Sequence, residues 1–179
     1  MNLEEMSSVN SGGSTGTQTG TGGSTVLHNF SRGIGQWKGT GLVGGPWQVN
    51  DQTFRSTDSI KADIRLTANG RSSIFTQEKP AVSLSGNRRL TVQARVASWG
   101  VAAGGKVSAK LYMKLGGSWK WYDSSETVLS NSAFTTLAID LTKIPSAELA
   151  DVKEMGVDFI SSSNGSQTSV YIAYVTLEA

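Results

Sequence analysis

The chain has 179 residues, a length at which one domain is expected, and its 37% hydrophobic content is sufficient to build a core. Only 17% of the residues are charged and 21 are glycine, a profile typical of a turn-rich all-β protein. The net charge of +2 is spread along the chain without a basic cluster, which excludes a typical nucleic-acid-binding surface, and the lack of cysteine excludes disulfides and thiolate metal sites. No apolar run approaches the length needed to span a bilayer, so no membrane association is expected.

Residues 1–24 are dominated by a Gly/Ser/Thr-rich stretch that begins at Ser7. This composition cannot bury enough apolar surface to order itself, so it predicts a flexible linker. A linker implies a neighbour, and residues 1–6 are interpreted as the end of another domain. Because the N-terminus lacks a basic start and an apolar segment, a secretion signal would lie upstream on a longer polypeptide. The folded module is predicted over residues 25–179.

From residue 25 onward, alternation of apolar and polar residues predicts one β-strand after another. The alternation is clearest in residues 59–66, 89–97 and 107–115. Further strands are predicted near residues 26–30, 47–50, 72–77, 134–141, 155–161 and 169–177, with turn signals at Asn69-Gly70, Gly104-Gly105 and Asn164-Gly165. One short helix is predicted over residues 146–153, with Ser146 as its N-cap. Roughly eight to ten strands with one helix must cover each other as two antiparallel sheets, so the predicted fold is an all-β sandwich of the jelly-roll type.

A hairpin between residues 110 and 123 carries the main functional signal. Gly116-Gly117 suits a two-residue turn, and counting outward from it places Lys114 opposite Trp119 and Tyr112 opposite Trp121. One face then continues the core, while the other displays aromatic rings interleaved with lysine. The residues predicted on this outer face are Lys110, Tyr112, Lys114, Trp119 and Trp121.

Exposed aromatic rings among polar side chains are typical of a surface that binds saccharides. The face of a sugar ring presents C–H bonds that pack on an aromatic plane, and its hydroxyls bond to polar side chains at the rim. Gln93 and Arg95 are expected on the outer side of their strand, where they would line the same shallow cleft. In the alternative interpretation, the rings cover a second buried layer instead.

Three further tryptophans are predicted on loops. Trp37 and Trp47 flank a Gly-rich stretch, and Trp99 precedes Gly100. Loops of this kind can present rings at the edge of a sheet and extend the row on the hairpin. Equally, one of these side chains could plug the end of the sandwich.

Several separated blocks of the sequence resemble, in order, the mannan-binding modules appended to bacterial β-mannanases. The blocks are WKGTGLVGGPWQVN at residues 37–50, SIKAD at 59–63, ASWG at 97–100, the hairpin at 109–123, and the C-terminal MGVDF and SVYI segments. The resemblance implies a monomeric jelly roll that binds β-mannan, as galactomannan or glucomannan, with tryptophan rings in a cleft on one sheet. By position in these blocks, Trp119 and Trp37 match the stacking tryptophans best, ahead of Trp121, Trp47 and Trp99. It also implies a secreted bacterial protein in which the module targets an attached glycoside hydrolase to the plant cell wall.

Modules of this kind often hold a structural calcium, which the resemblance places between the first strand and a C-terminal Tyr-Ile-Asp-Asn-Val type motif. In this chain Ala173 stands where the aspartate is expected, and residues 27–31 contain no acidic residue. Because calcium needs several oxygen ligands, the position is expected to be empty or weak. No other metal or cofactor is predicted.

A catalytic role is not predicted from the sequence. A glycosidase needs two carboxylates flanking a cleft, and a lyase needs a base, but the only histidine is His28 beside the linker. The carboxylates Asp63, Asp123, Glu126, Asp140 and Asp158 are spread along the chain. Two alternatives stay open, namely a small jelly-roll glycanase or polysaccharide lyase, and an adhesion module that binds protein through the aromatic face.

Overall fold

Two antiparallel β-sheets, packed face to face, make up the computed structural model, which describes residues 18–19, 23–101, 105–162 and 165–179. The strands are β1 (Gln18–Thr19), β2 (Ser24–His28), β3 (Lys38–Thr40), β4 (Leu42–Phe54), β5 (Thr57–Arg65), β6 (Gly70–Thr76), β7 (Arg89–Val96), β8 (Val107–Leu115), β9 (Lys120–Asp123), β10 (Thr127–Val128), β11 (Thr135–Asp140), β12 (Val152–Ser161) and β13 (Gln167–Glu178). One short helix, α1 (Ser146–Leu149), precedes β12 in the described chain. The predicted all-β sandwich is therefore confirmed.

The strands divide into two sheets, which we call sheet A and sheet B. Sheet A contains β1, β2, β4, β5, β7, β11 and β13, and sheet B contains β3, β6, β8, β9, β10 and β12. In sheet A, β13 pairs with β7 along one side and with β5 and β2 along the other. In sheet B, β12 lies between β6 and β8, and β8 continues to β9 and β10. The consecutive strands β7 and β8 thus belong to opposite sheets.

The core fills the space between the sheets with every second side chain of the long strands. Ile60 and Leu90 from sheet A and Met113 and Phe159 from sheet B are almost completely buried. This arrangement confirms the alternation predicted for residues 59–66, 89–97 and 107–115. The remaining side chains of these strands form two outer faces, one on each sheet.

The helix and the N-terminal region differ in detail from the prediction. The N-cap of α1 is Pro145 rather than Ser146, and it makes no side-chain cap; its carbonyl accepts the N–H of Leu149 at 3.1 Å. The helix ends at Leu149, four residues earlier than predicted, and β12 begins three residues later. Most of the predicted linker, and parts of the predicted turns at 104–105 and 164–165, lie outside the described residues, while residues 18–19 pair with β2. No helix of the described residues has the length and apolarity to cross a membrane.

Candidate functional site

The hairpin that joins β8 and β9 has a longer turn than the sequence suggests. Residues Gly116–Trp119 form a four-residue turn, in which the Trp119 N–H donates to the Gly116 carbonyl (N···O 3.1 Å) and both end residues have left-handed φ values, 73° and 55°. Lys114 therefore pairs with Trp121 and not with Trp119, so the predicted register was wrong by two residues. A displacement by two keeps each side chain on its face, because strand side chains alternate with period two.

Trp121 forms an exposed aromatic platform on the outer face of sheet B. Its ring lies parallel to that of Tyr112, with centroids 4.3 Å apart and an interplanar angle of 7°. Tyr112 is 2% exposed and Trp121 is 42% exposed. The indole N–H of Trp121 also donates to Asp123 Oδ2 at 2.9 Å. One face of the indole is thus fixed against the protein, and the ring remains largely open to solvent.

A trough runs beside this platform because the strand next to it carries a glycine. Gly156 of β12 pairs with Tyr112 on one side and with Phe75 of β6 on the other. The two aromatic residues are separated by two strand spacings, about 10 Å. A Cβ at Gly156 would lie only 2.6 Å from the Cβ of Phe75, so the floor has no room for a side chain. The trough is walled by Phe75 and the Tyr112–Trp121 pair, and the Lys38 ammonium lies 5.5 Å from the centre of the Phe75 ring.

Glu154 is buried at one end of the trough and fully engaged. It accepts bonds from the Tyr112 hydroxyl (2.6 Å) and the Gln77 amide (2.9 Å), and Lys114 Nζ lies 3.3 Å away. Burial alone would raise the pKa of the Glu154 carboxyl, but the bonds from Gln77, Tyr112 and Lys114 outweigh it and hold the pKa below its ordinary value. The Tyr112 pKa is raised, first by burial and then by its bond to Glu154. Glu154 is therefore an ionised anchor for the platform.

The other carboxylates on this face are also matched by cations. Asp158, at the opposite end of the trough, lies 3.0 Å from the Arg71 guanidinium and accepts a bond from Ser73. Asp123 lies 3.5 Å from Lys110. Glu154, Asp158 and Asp123 thus each have a cationic partner, and these pairs leave little net charge on the face.

Trp37 is not on this face. It is 4% exposed, its ring packs edge-on against His28 and Phe30 at centroid distances of 5.3 and 5.5 Å, and its indole N–H donates to His28 Nδ1 at 3.4 Å. The prediction of Trp37 as a stacking residue was therefore wrong. Trp37 instead follows the alternative interpretation, in which a loop tryptophan is buried at the end of the sandwich.

The outer face of sheet A, on the opposite side of the sandwich, carries Gln93, Arg95 and Trp47. The prediction that Gln93 and Arg95 line the same cleft as the hairpin residues was therefore wrong. Gln93 is buried and accepts a bond from the Thr136 hydroxyl. Arg95 donates to the carbonyl of Asn131 at 2.7 Å. Trp47 pairs with the outward Lys61 and is 45% exposed.

Trp99 and Trp119 are exposed outside the strands. Trp99 lies in the bend after β7, 47% exposed, with its carbonyl accepting a bond from the Thr168 hydroxyl. Trp119 lies in the hairpin turn, 45% exposed, two residues before Trp121 in the chain. Of the ten residues predicted to bind, sheet B thus brings together Tyr112, Trp121, Lys110 and Lys114, with Trp119 at the end of the same hairpin.

Sequence reasoning missed the other half of the trough. Phe75 alternates with the inward Ile74 on β6, and Glu154 and Asp158 alternate with the inward Met155 and Val157 on β12. The period-two pattern that placed the hairpin residues would have marked these side chains as outward. It could not show that β6 and β12 pair beside β8.

The structure places the two positions at which the resemblance implies calcium ligands. Ala173 is completely buried, and the Asn29 side-chain oxygen lies 3.5 Å from the N–H of Ser31. Within the described ranges, no three His, Asp or Glu side chains come together as possible metal ligands. The expectation that the calcium position is empty or weak stays a prediction.

Comparison with known sequences gives two matches along most of the chain. The model of a family described as "mannanase, galactose-binding domain-like" matches residues 28–174. A mannan endo-1,4-beta-mannosidase A and B of Caldalkalibacillus mannanilyticus is 32% identical over 155 residues, which are 86% of this chain and 29% of that protein. The chain spans less than a third of the length of this relative.

Solved structures share the sandwich with little sequence identity. One, from a study of the promiscuous specificity of carbohydrate-binding modules of the β-sandwich superfamily, has a TM-score of 0.60 at 11% identity and covers 90% of this chain and 59% of its own. A module specific for non-crystalline cellulose has a TM-score of 0.58 at 10% identity, covering 80% and 88%. A xylan-binding domain of Paenibacillus barcinonensis has a TM-score of 0.54 at 16% identity, covering 84% and 96%. At these identities the likeness establishes the fold alone.

Proposed function

The chain belongs to the mannanase galactose-binding-domain-like family, and we propose that it binds β-mannan, as galactomannan or glucomannan, along the trough on the outer face of sheet B. It has the fold of a carbohydrate-binding module and is a binding domain, not a catalytic one. The observation that carries the proposal is the Trp121 ring, which is stacked on the buried Tyr112 and open on its other face.

The aromatic walls provide the attraction for a sugar ring. A pyranose packs its C–H face on the Trp121 plane, and the ordered stack with Tyr112 means that little side-chain entropy is lost on binding. The backbones that carry Phe75 and Tyr112 lie about 10 Å apart, and we expect one sugar chain to lie across this distance. Phe75 then contacts the same chain from the opposite wall.

The pairing of charges favours a neutral polysaccharide. A chain of uronic acids would bring its carboxylates against Glu154 and Asp158, whose own cations are already engaged. Neutral sugar hydroxyls instead find donors on Lys110 and Lys114, whose side chains are 26% and 34% exposed. These polar groups are the proposed source of selectivity between mannose and glucose units, because stacking itself does not distinguish hydroxyl orientation.

The same face does not suit glycoside hydrolysis. A general acid needs a raised pKa, whereas the pKa of the Glu154 carboxyl is lowered. Glu154 and Asp158 also lie four residues apart on one strand, about 13 Å between Cα atoms. Binding without cleavage is therefore the function that the carboxylates support.

In the natural polypeptide, we propose, the module holds an attached glycoside hydrolase on its substrate outside the bacterial cell. Support comes from the relative in Caldalkalibacillus mannanilyticus, a mannosidase more than three times as long as the matched region. A binding module raises the local concentration of a tethered partner without a new catalytic group.

Calorimetric titration with mannohexaose and cellohexaose tests the proposed site. We expect saturable binding of mannohexaose that weakens at least about tenfold in Trp121→Ala, which corresponds to the loss of about 1.4 kcal/mol. Trp99→Ala is the matched control, because Trp99 is equally exposed but lies in the bend after β7. Undiminished binding in Trp121→Ala, or an equal loss in both variants, would contradict the assignment.

A further inference from the structure

The outer face of sheet A carries a hollow of its own, on the side of the sandwich away from the trough. Its volume is about 480 Å³, within the usual range for small-ligand sites. The floor consists of outward side chains of β7, β11 and β13, and one wall is the turn between β4 and β5. The side chains that matter for binding are Arg55, Arg88, Arg89, Tyr174, Thr176 and Glu178; we call this the arginine hollow.

The charges around the arginine hollow are not balanced. Arg89 makes two bonds of 2.9 Å to Glu178, and Arg88 lies 3.8 Å from the same carboxylate. Arg55 has no carboxylate within ion-pair distance in the described part of the chain. The adjoining Asp140 is occupied by bonds from Thr142. The lining thus has three guanidiniums and one carboxylate, which pairs with Arg88 and Arg89 but not with Arg55, and this leaves a surplus of positive charge.

Arg55 is held in place by aromatic rings. Its guanidinium lies 5.4 Å from the centre of the Phe54 ring and 5.5 Å from that of Tyr174. The two rings contact each other at 5.4 Å, and Phe134 supports Phe54 at 5.9 Å. A cation fixed on rings in this way keeps its N–H donors in position for an incoming acceptor.

The backbone around the arginine hollow is strained. Five non-glycine residues of the described chain have positive φ, and three of them border this hollow: Arg55 (50°), Ser56 (62°) and Tyr174 (55°). Tyr174 lies at an irregularity in the pairing of β13 with β7. Strained backbone is retained where it positions functional groups, and here it places a guanidinium and a phenol ring on the same hollow.

The floor offers hydroxyl and amide groups suited to a sugar. Thr91 and Thr176 are hydrogen-bonded to each other, and Thr136 donates to Gln93. We propose that the arginine hollow is a second saccharide site, which takes a sugar that carries a carboxylate, such as a uronic acid unit. Arg55 and Arg88 bind the carboxylate, and the polar floor bonds to the hydroxyls. The site lies on the other sheet from the mannan trough and does not depend on it.

Titration with trigalacturonate tests this site, by calorimetry and by amide chemical shifts. The test variant is the double substitution Arg55→Asn with Arg88→Gln, since asparagine tolerates the left-handed backbone at position 55. The matched control is Arg65→Gln, which removes an exposed guanidinium at the far end of β5 from the hollow. Trp121→Ala separates this site from the trough.

We expect trigalacturonate to bind the wild-type protein and Arg65→Gln alike, and to bind the double variant at least about tenfold more weakly, because two charge-assisted contacts are lost. Binding should also weaken as salt rises from about 20 to about 500 mM, and it should persist in Trp121→Ala. The proposal is overturned if trigalacturonate does not bind, if the double variant binds normally, or if inorganic phosphate and acetate move the same amides at the same concentrations as the sugar acid. A failure of mannohexaose to bind would bear on the trough alone.

Discussion

On the outer face of sheet B, the carboxylates of Glu154, Asp158 and Asp123 each contact a cation. On the outer face of sheet A, Glu178 pairs with Arg88 and Arg89, and Arg55 has no carboxylate partner in the described chain. The first arrangement leaves an aromatic surface with little net charge, beside Trp121, and the second leaves unmatched positive charge around Arg55. One sandwich therefore presents two surfaces that suit different ligands. The difference lies in how the charges are paired more than in which residue types are present.

The two faces also differ in their backbone. The trough on sheet B runs across regularly paired strands, and its central position is Gly156, where a Cβ would lie only 2.6 Å from the Cβ of Phe75. The arginine hollow is bordered by residues held at positive φ. Interactions on the outer face of sheet B should therefore stabilise the fold. The residues at positive φ on the outer face of sheet A should lower the free energy of unfolding.

Replacing one glutamate by alanine on each face should give the largest difference in the free energy of unfolding between the two faces. Glu154→Ala removes the partner of the buried Tyr112 hydroxyl and of Lys114, and we expect a loss of about 3 kcal/mol in the free energy of unfolding. Glu178→Ala breaks ion pairs whose arginines are exposed, and it should cost about 1 kcal/mol or less. Urea unfolding of both variants measures the difference, and equal losses would remove the contrast between the faces.

Lowering the pH should also remove the stability that the Glu154 carboxylate contributes. The pKa of Glu154 is lowered in the folded protein, so the unfolded chain takes up its proton first as the pH falls through the ordinary value of 4.5. The stability that Glu154 contributes is then present above that value and is lost as the pH falls through the folded pKa. The groups that face it are Lys114, Tyr112 and Gln77. Urea unfolding at several pH values should show a shallower acid loss in Glu154→Gln, and an unchanged pH profile in this variant would contradict the role of the carboxylate.

Relieving the strain beside the arginine hollow should stabilise the protein. Arg55 and Ser56 occupy a two-residue turn with positive φ at both positions, where Asn-Gly is strongly preferred. Replacing them by Asn-Gly should raise the free energy of unfolding by about 1 kcal/mol. Mannohexaose affinity should stay unchanged, because the turn lies on the other sheet. A loss of stability would mean that Arg55 contributes more through its rings than the backbone costs.

Addition of calcium should have the smallest effect on stability. Because Ala173 and the residues around Asn29 do not provide a carboxylate ligand set, we expect the melting temperature to change by less than about 1 °C on addition of calcium or of chelator. Differential scanning calorimetry with and without each reagent measures this. A rise of several degrees with calcium would show that the protein holds the ion with other groups.

The faces of the strands could be predicted from the sequence because alternation is a local property. It placed Tyr112 and Trp121 on the outer face. The predicted face was correct although the predicted register was wrong, because an error of two residues leaves each side chain on the same face. The register itself depended on the turn, where Trp119 adopts a φ of 55°. Gly116-Gly117 equally suits a two-residue turn, so the sequence did not distinguish the two lengths.

The assignment of strands to sheets could not be predicted in the same way. Gln93 and Arg95 were expected to join the hairpin residues, but β7 and β8 cross from one sheet to the other. Phe75 lies on β6 and Glu154 on β12, two strands that are distant in sequence. They come together with the hairpin only because β12 pairs with β6 on one side and with β8 on the other. Trp37 lies between strands, where no periodicity indicates whether a ring is displayed or buried.

The five tryptophan indole N–H signals of an ¹⁵N-labelled sample provide the most direct test of the binding face. Titration with mannohexaose should shift the signal of Trp121, whose N–H bonds to Asp123 at the edge of the trough, and to a smaller extent that of Trp119. The signals of Trp37, Trp47 and Trp99 should stay in place. Shifts at Trp47 or Trp99 with Trp121 unmoved would place the mannan elsewhere and contradict the account.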